Sequence, residues 1–171
     1  MKRLLGLACL IGVCTSAPAQ AASEGRSCGL DKVKTVADLR GVLSMRAIEA
    51  IKLAAEPRGY EESPGLKALI RPDAAVGLGS GDVGRPLGHG TYGLRHLVRE
   101  MNAGTYRYLN WDYIPTPVDQ PCHEAKVEIE FTDSARLLVY PVEFTFEDGL
   151  ITGVSGWTRS YVSGNLWAQS P

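Results

Sequence analysis

Apolar residues recur at helical spacing from residue 36 onward. Val36, Leu39, Leu43, Ala47, Ala50 and Ala54 form one stripe, which Met45, Ile48, Ile51 and Leu53 widen. Thr35 and Asp38 stand three apart at its start, the spacing of a capping pattern. Pro57 and Gly59 end it, so a long first helix is expected. Ser63 followed by Pro64 predicts a short second helix to Ile70, which Pro72 stops. Residues 74–79 suit a short strand. A glycine-rich run from Gly77 to Gly93 follows. Leu94, Leu97, Val98 and Met101 then mark an amphipathic third helix over about Thr91 to Ala103. His96 points away from that stripe and is expected at the solvated surface.

From Thr105 the period changes to two. Tyr106 to Ile114, Lys126 to Phe131, Arg136 to Phe146 and Leu150 to Val162 read as strands. Val127, Ile129 and Phe131 share one face of the second, and Lys126, Glu128 and Glu130 the solvent face. Asp148-Gly149 between β patterns signals a two-residue hairpin. Helices followed by a meander of long antiparallel strands make an α+β pattern, with three N-terminal helices packed on the sheet.

The hairpin gives a register. With a two-residue turn, Phe146 meets Ile151, Phe144 meets Gly153, Val142 meets Ser155, Tyr140 meets Trp157 and Leu138 meets Arg159. Opposed residues share a face, and the even residues of the first strand are the more apolar set. The inner face is therefore expected to carry Tyr140, Phe144, Trp157 and Arg159, with Gly153 and Ser155 leaving space. Apolar walls with a few polar groups suit a small-molecule pocket, and an inward Arg159 would need an anionic or carbonyl partner. The alternative is a filled core with Arg159 reaching solvent at the sheet end. A bulge at Pro141 would shift the register beyond it.

The first 21 residues change the reading of the whole chain. Lys2 and Arg3, the apolar run Leu4 to Val13 and Ala19-Gln20-Ala21 have the form of a secretory signal. The 171 residues carry a net charge of −1. Removing residues 1–21 takes away two bases and no acid, so the mature charge becomes −3. Cys9 and Cys14 go with it, leaving Cys28 and Cys122, which in an exported protein predict one disulfide. That places the protein in the periplasm or outside the cell. It divides the chain into a signal (1–21), a tethered N-terminal segment (22–34), one domain (35–164) and a tail (165–171). No later run is long enough to span a membrane. The near-neutral balance argues against a nucleic-acid binder, which normally shows a basic excess or stripe.

Leu69-Ile70-Arg71-Pro72-Asp73-Ala74-Ala75-Val76, the stretch from Gly88 to Met101, and Val142-Glu143-Phe144-Thr145-Phe146-Glu147-Asp148-Gly149-Leu150-Ile151 occur in this order. Together they resemble the nuclear-transport-factor-two-like superfamily, which includes polyketide-cyclase-like and ketosteroid-isomerase-like groups. The resemblance covers about residues 35–162. It implies a cone, with a curved antiparallel sheet wrapped against three helices around a cavity. It does not fix a function. In isomerase-like members a catalytic Asp follows shortly after the Asp-Ala of the first motif. Here Gly77-Leu78-Gly79 occupies that place, with Leu78 at the base position, which weakens an isomerase reading.

Other constellations are less specific. Gly79 to Gly84 matches G-x-G-x-x-G, but Arg85-Pro86-Leu87-Gly88 follows rather than a helix, so a loop at a cavity mouth is expected instead of a dinucleotide site. His89 in that loop is an acid/base candidate. On the strand from Tyr106, the more apolar set Leu109, Trp111 and Tyr113 is expected inside. The alternative turns Tyr106, Tyr108, Asn110 and Asp112 inward, where Asp112 beside Tyr108 could act as a general base with a hydrogen-bonding partner. The histidines lack metal-ligand spacing, and neither a metal nor another cofactor is expected. The leading expectation is an exported domain binding a small, mostly apolar ligand. The alternatives are a lyase or isomerase using His89, Asp112 and Tyr108 in the same cavity, and an interaction domain forming a homodimer through its sheet.

Overall fold

The computed structural model describes residues 28–30, 32–57, 63–109 and 122–160. The segment expected to be a signal (1–21), Asp112 with its neighbours Trp111 and Tyr113, and the expected tail (165–171) lie outside the described residues. Helix α1 (Val36–Ala55) begins at a capping box. The Thr35 hydroxyl accepts from the Asp38 amide at 3.1 Å, and the Asp38 carboxylate accepts from the Thr35 amide at 3.0 Å. Helix α2 (Pro64–Lys67) is shorter than the sequence suggests, and Ser63 makes no side-chain cap. The chain instead enters strand β1 (Ile70–Ser80), which runs through Pro72 and the glycines. Pro72 falls where β1 has no paired residue, between Ile70 and Ala75, so its missing N–H costs no ladder bond.

Gly81-Asp82 turns the chain into strand β2 (Val83–His89), with Ser80 paired to Val83. The expected glycine loop is therefore a β-hairpin. Helix α3 (Gly90–Met101) follows, then strands β3 (Thr105–Tyr108), β4 (Ala125–Asp133), β5 (Leu138–Glu147) and β6 (Leu150–Ser160). The six form one curved sheet in the order β2-β1-β6-β5-β4-β3. β1 and β6 run parallel, and the other neighbours antiparallel. The fold is α+β, as the element pattern implied.

The helices cover one face of the sheet. Leu39, Leu43 and Ala47 of α1 and Leu94, Leu97 and Met101 of α3 join Val76, Ile129, Phe131, Val142, Phe144 and Val154 in one buried cluster. Leu78, at the place where the isomerase-like base would stand, is part of that packing. The α3 C-terminus is fixed by the β4–β5 turn. Arg136 donates to the carbonyls of Glu100 (2.8 Å) and Met101 (2.7 Å), and Asp133 orients its guanidinium from behind.

Cys28 and Cys122 form the expected disulfide, with Cα atoms 5.8 Å apart. Arg46 of α1 reinforces it. Its guanidinium donates to the carbonyls of Cys28 (3.3 Å), Gly29 (3.3 Å) and Gly149 (2.7 Å). Leu30, 1% exposed, anchors the same segment in the core. No helix among the described residues is long and apolar enough to cross a membrane.

Candidate functional site

The β5–β6 hairpin starts as the sequence implies. Glu147 faces Leu150 and Phe146 faces Ile151. The next pair is Thr145 with Gly153, so Thr152 is an extra residue on β6, and its hydroxyl donates to the Thr145 carbonyl at 3.3 Å. This bulge shifts every later pair by one. Phe144 meets Val154 and Val142 meets Gly156. A side chain at Gly156 would point at Leu78, Val142 and Leu97, which puts residue 156 inside.

The expected ligand-binding set is therefore divided between the two faces. Tyr140 and Phe144 are inside and fully buried, 1% and 0% exposed. Trp157 and Arg159 are on the outer face and exposed, a correction to the inferred register. Pro141 is not the cause, because the register is the same on both sides of it.

The acid/base candidates also separate. His89 is exposed at the end of β2, where it precedes α3, rather than facing a cavity. Tyr108 is on β3, at the opposite edge of the sheet. Five interstrand steps of about 4.8 Å along the sheet lie between the two strands. Asp112 lies outside the described residues. His96 is half-buried rather than fully solvated. Its Nδ1 lies 3.1 Å from the Leu87 carbonyl, and its Nε2 lies 3.4 Å from Glu100, which also pairs with Arg85. Among the described residues, no three His, Cys, Asp or Glu side chains group as metal ligands would.

A different constellation forms at the β3 edge. Tyr106 pairs with Phe131 and Tyr108 with Ile129, so both tyrosines share the inner face. This reverses the expected orientation of the strand. Ring centroids step from Tyr108 to Tyr106 (6.2 Å), to Phe131 (6.1 Å) and to Phe144 (6.5 Å). These separations lie within the range favoured by aromatic pairs. The series runs from solvent into the core. Tyr108 is 46% and Tyr106 44% exposed, while Phe131 is 3% exposed.

Helix α1 supplies the facing wall. The Tyr108 hydroxyl donates to the Met45 sulfur at 3.5 Å, and Met45 is 57% exposed. Beside Met45 a groove of about 440 Å³ is lined by Val42, Arg46, Glu49 and Leu69. The alternation of β3 did not point to the tyrosines, because its more apolar residues lie beyond Tyr108 and a short edge strand carries too few positions to show its covered face.

Electrostatic perturbations lie elsewhere. The Arg136 guanidinium holds the Asp133 carboxyl below the usual carboxylate range. Burial pushes the Tyr140 phenol up, and the Glu143 hydrogen bond raises Lys126.

No family model and no curated protein matches the chain. Solved structures do resemble it in shape. A proposed isomerase from Rhodopseudomonas palustris aligns over 70% of this chain and 90% of its own, at 10% identity and a TM-score of 0.43. An NTF2-like protein of unknown function from Cytophaga hutchinsonii aligns over 68% and 89%, at 11% identity and a TM-score of 0.38. A de novo designed NTF2 fold protein aligns over 80% and 98%, at 14% identity and a TM-score of 0.36. The likeness is one of fold alone. What this fold does in this chain has to be read from its own residues.

Proposed function

We propose that the protein is an exported single-domain binder of a small, mostly apolar ligand, held on the inner face at the β3 edge. The observation that carries this reading is the aromatic series Tyr108–Tyr106–Phe131–Phe144, half in solvent and half in the core. Exposed aromatics and a thioether clustered beside an apolar groove suit a ligand with a flat or branched hydrocarbon body. The Tyr108 hydroxyl supplies a polar contact. The Cys28–Cys122 disulfide and the signal-like N-terminus support export.

The test uses the fluorescent apolar probe 1-anilinonaphthalene-8-sulfonate with the mature protein. Saturable binding is expected, and Tyr106→Ala with Tyr108→Ala is expected to weaken it by about tenfold or more. Trp157→Ala, on the outer face, is expected to leave it unchanged. Equal binding by all three proteins would sink the reading. Sequencing the N-terminus of the exported product tests the compartment, with Ala22 expected first.

A further inference from the structure

Glu130 is on the solvent-facing set of β4, yet it is only 8% exposed. Its Oε1 accepts from Arg107 Nε at 2.6 Å. Its Oε2 has no protein partner among the described residues. Solvent reaches that oxygen, so a ligand hydroxyl there would take the place of water. Glu130 lines a groove of about 340 Å³ at the end of β3 and β4. Thr105, paired with Thr132 across the two strands, and Ser134 in the following turn line it too. Their three hydroxyls make no hydrogen bond within the described protein. Leu137, 63% exposed at φ 53°, brings an apolar side chain to the same groove.

We propose that this groove is a second binding site, for a neutral polyhydroxylated ligand of the sugar-ring class. The charge balance selects the class. The Glu130–Arg107 pair is net neutral. Arg107 therefore opposes an ammonium ligand and Glu130 opposes an anion. What remains is a mixed array of acceptors and donors. The free Glu130 oxygen can take a ligand hydroxyl in a charge-assisted bond, the unpaired guanidinium N–H groups of Arg107 can donate, and the three protein hydroxyls can do either. Leu137 gives the ring's C–H face an apolar contact. The volume lies at the small end of ligand sites and suits one ring. The groove shares Tyr106 with the inner-face aromatic series but not Tyr108, Phe131 or Phe144.

The test is an amide NMR titration of the mature, disulfide-bonded protein with glucose, galactose and N-acetylglucosamine, each to about 100 mM. Saturable shifts are expected at residues 105–107 and 132–137 with at least one sugar. Glu130→Gln is expected to weaken binding about tenfold, because it removes the charge from the acceptor. Ser134→Ala, which removes only a turn hydroxyl, is expected to weaken it by about threefold and covers the case in which Glu130→Gln fails to fold. Tyr108→Ala is expected to leave sugar binding unchanged, which separates this site from the apolar one. The proposal is overturned if no sugar gives saturable shifts there, if Glu130→Gln and Ser134→Ala both bind as wild type, or if methylammonium or acetate binds in preference.

Discussion

Trp157 lies across Gly79. A β-carbon at Gly79 would overlap the six-membered part of the indole, so the absent side chain is what lets the ring rest on the neighbouring strand. Gly79→Ala is therefore expected to lift the indole and cost about 1–3 kcal/mol, the usual range for overpacking. Urea denaturation measures the loss. The Trp157 indole N–H resonance should move more than those of Trp111 and Trp167. An unchanged resonance would mean the ring does not use this glycine.

The N-terminal segment is held by a covalent and a polar tie at one place. The disulfide closes a sequence separation of 94 residues. Replacing both cysteines by serine is expected to cost about 3–5 kcal/mol by the chain-entropy argument. Arg46→Lys keeps the charge but loses the fork that reaches Cys28, Gly29 and Gly149, and is expected to cost about 2 kcal/mol. The two changes should not fully add, because without the disulfide two of the three carbonyls that Arg46 binds, those of Cys28 and Gly29, are themselves freed. A double-mutant cycle by denaturant unfolding checks this, and strict additivity would separate the ties.

Features set by neighbouring residues were legible. The Thr35–Asp38 capping box, the α3 stripe and the Asp148-Gly149 turn each depend on contacts within four positions. The cysteine pair was legible because, once the signal-like segment is set aside, two thiols leave one pairing. The β1–β2 hairpin was not. Gly77 and Gly79 carry no side chain to show alternation, and their strand is built by pairing with β6 and β2. The inferred placing of Trp157 and Arg159 failed at a single residue. Thr152 is a good strand former, and Gly153 beside it suggests open space as readily as a bulge, yet Thr152 occupies the bulge that sends Trp157 and Arg159 outward. Glu130 was read as solvated because alternation reports the face of a strand and not what else covers that face.

Asp133 should govern part of the acid response. Its folded carboxyl is held below its ordinary value by the Arg136 hydrogen bond. A depressed folded pKa adds stability that is fully present above the unfolded value, about 3.9, and is lost as pH falls through the folded value. Asp133→Asn is expected to be less stable than wild type at pH 7, with the gap narrowing below about pH 4. Thermal unfolding from pH 7 to pH 2 measures it. A gap that stays constant down to pH 2 would show that the charge on Asp133 contributes nothing.

Two deletions on one strand separate a bulge from a ladder. Thr152 is supernumerary, so removing it joins Ile151 to Gly153 opposite Phe146 and Thr145 and leaves every other facing pair as it is. Val154 and Gly156 stay inside and Trp157 stays outside. The expected cost is about 1–3 kcal/mol, for lost curvature and the Thr152–Thr145 bond. Removing Ser155 instead shortens a continuous ladder. Gly156 would then turn outward and Trp157 inward against Leu97 and Val142, where a single β-carbon would already be tight and an indole has no room. That protein is expected to lose more than about 4 kcal/mol or not to fold. Urea denaturation of both compares them directly. Equal damage from the two deletions would mean that Thr152 belongs to the ladder, and that the outer position of Trp157 and Arg159 has another cause.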